Sequence, residues 1–201
     1  MLLTIIVPAY NEQDRITRAL DSIPRRDDIE VLIIDDGSTD NTYEVCKNYA
    51  ESNPDLNIRI IRHEENKGLG SAKNTGYDNA SGDYINQLDA DDWLYRGNYQ
   101  KVMEQLDGTD IVYMDLCVDS GDIWTVTEDT KHLWCGGTLR FIRREFLGDL
   151  RCPEIRVAED WFLNEELQKL PHTDKFTQIV GYHYTFPREG SLCDQRSKGL
   201  L

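Results

Sequence analysis

Residues 83–92 read Asp83-Tyr84-Ile85-Asn86-Gln87-Leu88-Asp89-Ala90-Asp91-Asp92, which places three carboxylates directly after a predicted buried strand. In an open α/β sheet, ligands bind just beyond the carboxyl ends of the strands. Closely spaced carboxylates repel each other, so this cluster is unfavourable unless a cation offsets its charge. Mg²⁺ and Mn²⁺ suit oxygen ligands of this kind. The stretch therefore predicts either a metal site at a sheet edge or a solvated acidic turn that caps a helix.

Apolar runs of strand length alternate with helical patterns on both sides of this stretch. The predicted strands span 2–7, 29–34, 57–62, 84–88 and 110–116, and the predicted helices span 12–23, 41–51, 68–80 and 97–106. This alternation predicts an α/β fold with a mostly parallel, Rossmann-like sheet flanked by helices.

The alternation stops after Cys117. The patterns there predict a hairpin at 118–126, helices at 139–146 and 157–170, and a strand at 177–186. We therefore expect a smaller, mixed C-terminal part, 117–201, that belongs to the same single domain as 1–116.

Composition limits the possible functions. With 201 residues, 39% of them hydrophobic, the chain can form one domain with a sizeable core, alone or with a small appendage. A net charge of −15 repels nucleic acid and anionic lipid surfaces, so no nucleic-acid partner is expected. The five cysteines include no C-x-x-C pair, which argues against zinc and a disulfide framework.

The N-terminal residues lack the features of a signal peptide, and no apolar run approaches the length of a membrane span. We therefore expect a cytoplasmic protein without an integral membrane segment. The arginines in 140–156 predict a solvated helix face, with an acceptor-phosphate or membrane contact as the alternative.

Polar residues cluster where the predicted parallel strands end. Residues 8–12 follow the first strand, 35–38 follow the second, and 89–92 follow the fourth. Because these strand ends share one sheet edge, the loops should converge on one cleft. Lys73, beyond Gly68-Leu69-Gly70, is then either a partner for a nucleotide phosphate or an exposed helix lysine; the dinucleotide fingerprint is incomplete and a Walker A loop is absent.

With these motifs the chain resembles the family 2 glycosyltransferases, which have the GT-A fold. The resemblance rests on 6–12, 33–40, 66–76, 82–85 and 88–92, and more weakly on Glu159-Asp160-Trp161-Phe162, on Tyr182-His183-Tyr184 and on Ser191-Leu192. It implies a metal-dependent, inverting, hexosyltransferase-type enzyme. Such an enzyme moves a sugar from a nucleotide sugar, commonly a UDP-sugar, to a hydroxyl of a glycan, lipid-linked or protein acceptor. It implies that 1–116 binds the donor and that 117–201 forms the acceptor side.

The resemblance also implies roles for donor-side residues. The donor nucleotide would be bound by Pro8, Ala9, Tyr10, Glu12, Gly68, Lys73, Asp89 and Ala90, together with Asp35 or Asp36. Only one of Asp35 and Asp36 is expected to accept the uracil N–H, because successive strand side chains point to opposite faces; the other would cap the turn. Lys73 stands where the family usually has arginine, and it cannot form a bidentate fork. This departure indicates weaker diphosphate binding or a different base preference.

For the metal, Asp89 and Asp91 would form the D-x-D pair that binds Mn²⁺ or Mg²⁺. Asp91 is expected as the direct ligand, Asp89 nearer the ribose or the metal waters, and Asp92 as a helix cap. His183 would be a third metal ligand, since imidazole accepts Mn²⁺, or a structural residue among aromatics. Arg188 and Ser191 would close over the diphosphate.

For catalysis, the resemblance implies that Asp160, with Glu159 beside it, is the general base. The alternative is that both carboxylates stabilise the dipole of the helix that they open. We expect the carboxyl groups of Asp160 and Asp91 to face one cleft from opposite walls. Trp161 is expected in the core, and Trp134 on an acceptor loop.

Two other functions remain as alternatives. A catalytically degenerate module would bind a nucleotide sugar without turnover, although intact Asp89, Asp91 and Asp160 argue against it. A nucleotidyltransferase of similar architecture should have a glycine-rich, basic loop after the first strand, and 8–13 is not such a loop.

Overall fold

The computed structural model describes residues 1–132, 137–153 and 159–186. Its strands are β1 Leu3–Ala9, β2 Ile29–Asp35, β3 Asn57–Arg62, β4 Tyr84–Gln87, β5 Trp93–Leu94, β6 Ile111–Val118, β7 Ile123–Trp124, β8 Arg140–Arg143 and β9 Asp174–Tyr184. Its helices are α1 Ile16–Ser22, α2 Thr42–Ser52, α3 Leu69–Asn79, α4 Arg96–Met103, α5 Arg144–Leu147 and α6 Glu159–Lys169, with a 3₁₀ turn at Gly137–Leu139. None of the helices described is long and apolar enough to cross a membrane.

The first half of the sheet is parallel, in the order β3-β2-β1-β4. Every residue of β1 and β2 is buried, as their apolar, β-branched runs predict. Successive side chains enter different cores: Ile5 and Val7 belong to one hydrophobic cluster and Ile6 to another, on the opposite face. The second cluster includes Ala72 of α3 and Leu163 of α6, so α6 packs on the same side as α3.

The second half of the sheet is mixed. Strand β8 lies antiparallel between β4 and β6, and β9 runs parallel to β6. The short strands β5 and β7 pair antiparallel with β9 and β6 respectively. Because β8 joins β4 to β6, the two halves share one continuous sheet.

The predicted helix at 139–146 is wrong. Residues Arg140–Arg143 form β8, and only Arg144–Leu147 are helical. The tertiary structure explains the difference. The edges of β4 and β6 that face each other carry backbone N–H and C=O groups, and these groups need hydrogen-bond partners once they are buried. That requirement overrides a local helical pattern. Helix α1 also begins later than predicted, because the amides of Arg15 and Ile16 both bond the carbonyl of Glu12 in a turn.

Candidate active site

The loops after β1 and β2 are tied together at one edge of the sheet. Asn11 has a left-handed backbone conformation, with φ 56°, which asparagine tolerates better than most residues. Its side-chain oxygen accepts the amide of Thr39 at 2.9 Å, and its own amide donates to Ser38 Oγ at 3.0 Å. The amide of Glu12 donates to Thr42 Oγ1 at 2.7 Å. These contacts hold the loop after β1 and the loop after β2 together, so that the two loops form one continuous surface.

The residues expected at the nucleotide differ in exposure on this surface. Pro8 and Ala9 are buried at the end of β1, whereas the side chain of Tyr10 is exposed. The carboxylate of Glu12 is held by Arg15 Nε at 2.5 Å. Tyr10 is therefore the member of this group that presents an aromatic ring to an incoming ligand.

Asp36 acts as a structural tie. Its Oδ1 bonds His63 Nδ1 at 2.6 Å and accepts the amide of Lys67 at 3.0 Å, while its Oδ2 accepts the amide of Gly68 at 2.8 Å. Gly68 precedes α3 with φ 93°, a conformation that favours glycine. Asp36 therefore positions the start of α3 against the loop after β2.

Asp35 keeps an unused acceptor. Its Oδ1 accepts the amide of Ser38 at 3.3 Å. Its Oδ2 is buried and 3.0 Å from Arg62 Nε, yet this ion pair lacks the angle of a hydrogen bond. Of the two adjacent aspartates, Asp35 is thus the one with an oxygen that no hydrogen bond from the described residues satisfies.

The loop after β4 is fastened to β9 through Asp92. Tyr182 donates its hydroxyl to Asp92 Oδ2 at 2.7 Å, and the amide of Thr185 donates to Asp92 Oδ1 at 2.7 Å. The expectation that Asp92 caps a helix is wrong, because α4 begins at Arg96 and no side chain caps it. The hydrogen-bond partners of Asp92 lie at the end of β9, about 90 residues later in the chain, so the residues around Asp92 in the sequence give no sign of them.

The remaining residues of this loop lie as follows. Ala90 packs into the core. The carbonyl of Asp91 accepts Thr185 Oγ1 at 2.8 Å and a guanidinium N–H of Arg18. The amide of Asp89 donates to Tyr182 Oη at 3.2 Å. The backbone of the D-x-D segment is therefore held from both α1 and β9.

The electrostatics of this loop favour a cation. Burial raises the pKa of Asp89 well above its ordinary value; repulsion from Asp92, Asp91 and Asp160 adds to the shift, and Lys73 opposes it. Burial, followed by repulsion from Asp91, raises the pKa of Asp92 to about 7. Concentrated negative charge in a desolvated site is relieved by a positive ligand.

The donor set fits a divalent cation that arrives with a diphosphate. Within 1–132, 137–153 and 159–186, no three or more His, Cys, Asp or Glu side chains are placed to hold a metal ion. Mg²⁺ needs no such cage, since one or two carboxylates commonly bind it together with waters and substrate phosphates. Asp89 and Asp91 supply two carboxylates of this type.

His183 is fully engaged elsewhere. Its Nδ1 bonds Tyr95 Oη at 2.8 Å, its Nε2 bonds Asp119 Oδ1 at 3.1 Å, and its ring stacks on Trp93 with centroids 3.6 Å apart. As placed, the imidazole has no ring nitrogen to give to a metal. These contacts match the structural alternative, in which His183 joins β5 and β9.

Lys73 is a buried lysine of α3 and not an exposed one. Its side chain is 2% exposed, and Nζ donates to Glu159 Oε1 at 2.8 Å and to Asp160 Oδ2 at 2.6 Å. Burial acts to lower the pKa of Lys73, but Asp160, Glu159 and Asp89 raise it well above its ordinary value. The lysine therefore stays charged, and it joins α3 to the first turn of α6.

Asp160 retains one unsatisfied oxygen. Its Oδ2 is held by Lys73, whereas its Oδ1 is buried and has no hydrogen-bond partner within the described parts of the chain. Glu159 is 4% exposed and shares the same lysine. Since Asp160 also raises the pKa of Asp89, the start of α6 and the D-x-D loop belong to one electrostatic site.

Two expectations for the second half are wrong. Arg140 is fully buried rather than on a solvated face; Nη1 donates to Asn164 Oδ1 at 2.6 Å, and Nε and Nη2 have no hydrogen-bond partner. Trp161 is 44% exposed rather than in the core. Trp134, Arg188 and Ser191 lie outside the described residues.

Sequence reasoning missed the residues that support this site. Tyr182 holds Asp92, and His63 holds Asp36 while its Nε2 bonds Thr75 Oγ1 at 2.9 Å. The only local signal was a polar residue next to an apolar strand, which is too common to indicate a partner.

Comparisons with known proteins agree with the geometry. The model of the Glycosyl transferase family 2 matches residues 4–158. Glycosyltransferase GlyA of Streptococcus pneumoniae is 39% identical over 109 residues, which are 51% of this chain and 15% of GlyA. EpsJ of Bacillus subtilis, described as an uncharacterized glycosyltransferase, is 39% identical over 187 residues, 79% of this chain and 54% of EpsJ. The chain thus spans about half or less of the length of these curated relatives.

Two solved structures share the fold. S. aureus TarS 1–349 in complex with UDP-GlcNAc has a TM-score of 0.81 at 24% identity, over 95% of this chain and 60% of that one. Mannosyltransferase PcManGT from Pyrobaculum calidifontis, in complex with GDP-Man and Mn²⁺, has a TM-score of 0.75 at 26% identity, over 94% and 58%. The resemblance inferred from the motifs is confirmed: the chain belongs to glycosyl transferase family 2 and has the GT-A fold.

Proposed function

We propose that the protein is a metal-dependent, inverting glycosyltransferase that moves a sugar from a nucleotide sugar to a hydroxyl. One observation carries the proposal: Asp160 has a carboxylate oxygen without a partner and acts electrostatically on Asp89. A single displacement requires a base on the acceptor side and charge stabilisation on the leaving-group side. The two carboxylates suit these two tasks.

The proposed donor is a UDP-sugar. Asp35 Oδ2, which makes no hydrogen bond, suits the N–H of uracil, and the exposed ring of Tyr10 lies at the end of the neighbouring strand. Support also comes from TarS, which is described in complex with UDP-GlcNAc. A guanine base likewise offers N–H donors, and PcManGT is described with GDP-Man, so a GDP-sugar is the competing donor.

Asp89 and Asp91 would hold Mg²⁺ or Mn²⁺, whose chemistry is to stabilise the negative charge that develops on a leaving diphosphate. The raised pKa of Asp89, caused first by burial and then by its acidic neighbours, supports a cation at this position. His183 is not included as a ligand, because both of its ring nitrogens are hydrogen-bonded.

In the proposed reaction, Asp160 Oδ1 accepts the proton of the acceptor hydroxyl while the hydroxyl oxygen bonds to the anomeric carbon. The bond from that carbon to the diphosphate breaks on the opposite face, and the nucleoside diphosphate leaves with the electron pair. Lys73 holds Asp160 Oδ2 and thereby orients Oδ1. The configuration inverts, so a UDP-α-sugar yields a β linkage on a glycan, lipid-linked or protein acceptor.

A nucleotide-sugar-binding module without turnover is the second candidate. It is favoured by the contact between Lys73 and Asp160, which occupies one oxygen of the proposed base at 2.6 Å. Transfer activity decides between the two, because a module would bind the donor and release no product.

Donor binding is tested by calorimetry with UDP and GDP, with Mn²⁺ or with chelator. We expect Mn²⁺ to strengthen UDP binding and Asp91→Asn to weaken it. Asp122→Asn, an equivalent change in an exposed turn, serves as the matched control. Equal UDP affinity with metal and with chelator would contradict metal dependence, and tighter GDP binding would reassign the base.

Stereochemistry tests the mechanism. A screen of nucleotide sugars for transfer or hydrolysis identifies the donor, and NMR of the product from a UDP-α-sugar should show a β linkage. Retention of the α configuration would overturn the inverting mechanism. Donor binding without any turnover across the screen would support the binding module.

A further inference from the structure

Helix α6 carries a cavity that the proposed chemistry does not use. The cavity has a volume of about 360 Å³, within the range of small-ligand sites. It is lined by His132, Trp161, Asn164, Glu165, Gln168 and Lys169. Five of these six residues come from α6, which also begins with the candidate base.

The position of the cavity relates it to Asp160. At a rise of about 1.5 Å per residue, Asn164 and Gln168 lie about 6 and 12 Å from Asp160 along the helix axis. Asn164 is also four residues from Asp160 and therefore shares its face of the helix. One residue that lines the cavity, Asn164, thus lies about one helical turn from the candidate base.

The cavity presents a fixed donor and a fixed acceptor. Asn164 is 3% exposed, and its Oδ1 is occupied by Arg140, so the planar amide directs Nδ2 away from that guanidinium. Gln168 Nε2 donates to Tyr113 Oη at 3.2 Å, which leaves Oε1 as the outward acceptor. Because Arg140 and Tyr113 are buried, both amides are oriented before any ligand arrives.

One wall of the cavity is aromatic. Trp161 is 44% exposed and lines the cavity, while its neighbour Phe162 is equally exposed and does not line it. A sugar ring has apolar C–H faces and equatorial hydroxyls, so it matches an aromatic wall beside amide side chains. A membrane surface or an apolar peptide would leave the buried amide of Asn164 unsatisfied.

The geometry points to this cavity as a subsite for a neutral glycosyl unit of the acceptor, placed beyond the unit that receives the sugar. This inference rests on the proposed function and narrows its acceptor to a glycan. In the lining, the charges of Glu165 and Lys169 offset each other, and the net charge of −15 of the whole chain disfavours an anionic saccharide.

The test uses the whole chain and an array of neutral oligosaccharides with α and β linkages. We expect wild type to bind at least one of them, Trp161→Ala to weaken that binding at least about tenfold, the scale of a lost aromatic anchor, and Trp161→Phe to restore part of it. Leu170→Ala, at an exposed leucine directly after α6 that does not line the cavity, is the matched control and should bind like wild type.

Three results would overturn the inference: no neutral oligosaccharide binds, Trp161→Ala binds as tightly as wild type, or Leu170→Ala loses as much affinity as Trp161→Ala. UDP affinity and thermal unfolding are measured on the same variants. Unchanged values in Trp161→Ala exclude misfolding. Glycan loss with intact UDP binding separates this subsite from the donor site, so the subsite can fail while the proposed function stands, and the reverse.

Discussion

The parallel half of the sheet and the part built around β8 and α6 differ in where they place charged side chains. In the parallel half, β1 and β2 are apolar apart from Thr4, Glu30 and Asp35, and further carboxylates follow in the loops beyond the strand ends. Around α6, by contrast, Lys73 and Arg140 are buried inside the protein. The comparison teaches that hydrophobic periodicity shapes the central strands β1 and β2, whereas an ion pair between distant segments joins α6 to α3.

Two buried charged groups, one from each half, differ in how completely their hydrogen-bonding atoms are satisfied. Glu30, the buried carboxylate at the start of β2, is bonded by Thr4, Arg59 and Ser81. Arg140, by contrast, has one hydrogen bond and two unpaired nitrogens. Unsatisfied buried groups are unfavourable and mark places where a structure serves something other than stability.

Lys73→Met should have the largest effect, because it removes the cation that compensates two buried carboxylates. Breaking a buried pair by removing one partner destabilises a protein by about 3–5 kcal/mol. We expect a loss of this size in urea unfolding at pH 7. Lys67→Met, at an exposed position in the loop before α3, should change the free energy of unfolding by less than about 0.5 kcal/mol. Equal stability of the two variants would mean that the ion pair does not join the halves.

Asp160→Asn should separate catalysis from folding. Loss of a general base lowers turnover at least about 10²-fold, which corresponds to about 2.7 kcal/mol of activation free energy. UDP affinity should stay unchanged in calorimetry, since the substitution leaves the donor-side loops intact. Glu166→Gln, on an exposed side of the same helix, is the matched control. A near-normal kcat in Asp160→Asn would assign this residue to stabilising α6.

Glu30→Gln tests the parallel half and should have a smaller effect on the free energy of unfolding than Lys73→Met. Burial acts to raise the pKa of Glu30, but hydrogen bonds from Thr4, Ser81 and Arg59 more than offset it, and the pKa is lowered from its ordinary value of 4.5. Replacing the carboxylate should destabilise the fold by about 1–3 kcal/mol, the scale of a buried group left unsatisfied. Glu64→Gln, which is exposed, should be neutral.

The lowered pKa of Glu30 also sets a pH dependence. Because the folded state binds the proton less tightly than the unfolded chain, the stabilisation is present above pH 4.5 and is lost as the pH falls below it. Wild type should therefore lose more stability between pH 6 and about pH 4 than Glu30→Gln does. Parallel stability curves for the two proteins would contradict this assignment.

The last prediction concerns the rate at which cysteines are alkylated, and it involves no change in stability or turnover. Burial raises the pKa of both Cys46 and Cys152 to about 12, so these thiols, one on each side of the comparison, should resist iodoacetamide at pH 8. Cys117 is half-buried and should be alkylated faster. Peptide mass spectrometry reads each site separately. Rapid labelling of Cys152 would show that the region next to α6 opens in solution.

Much of the parallel half could be predicted from local patterns. Strands β1 and β2 and the loops beyond them follow from apolar runs that end at Pro8 and Asp35, since burial on both faces demands such runs. Strand β8 could not be predicted, because its residues form a strand only through pairing with the edges of β4 and β6, which come from distant parts of the sequence. The role of Asp92 was hidden for a similar reason: Tyr182 lies 90 residues away.

By itself, the sequence determined the α/β alternation, the polar loops at the strand ends and, through its motifs, the family. Tertiary structure alone decided that Lys73 pairs with Asp160, 87 residues later, that Arg140 is buried and that Trp161 is exposed. The physical reason is that periodicity records the burial of apolar surface, which each segment contributes locally. The burial of a charge depends instead on whether a partner from a distant segment stands opposite it, and no local pattern contains that information.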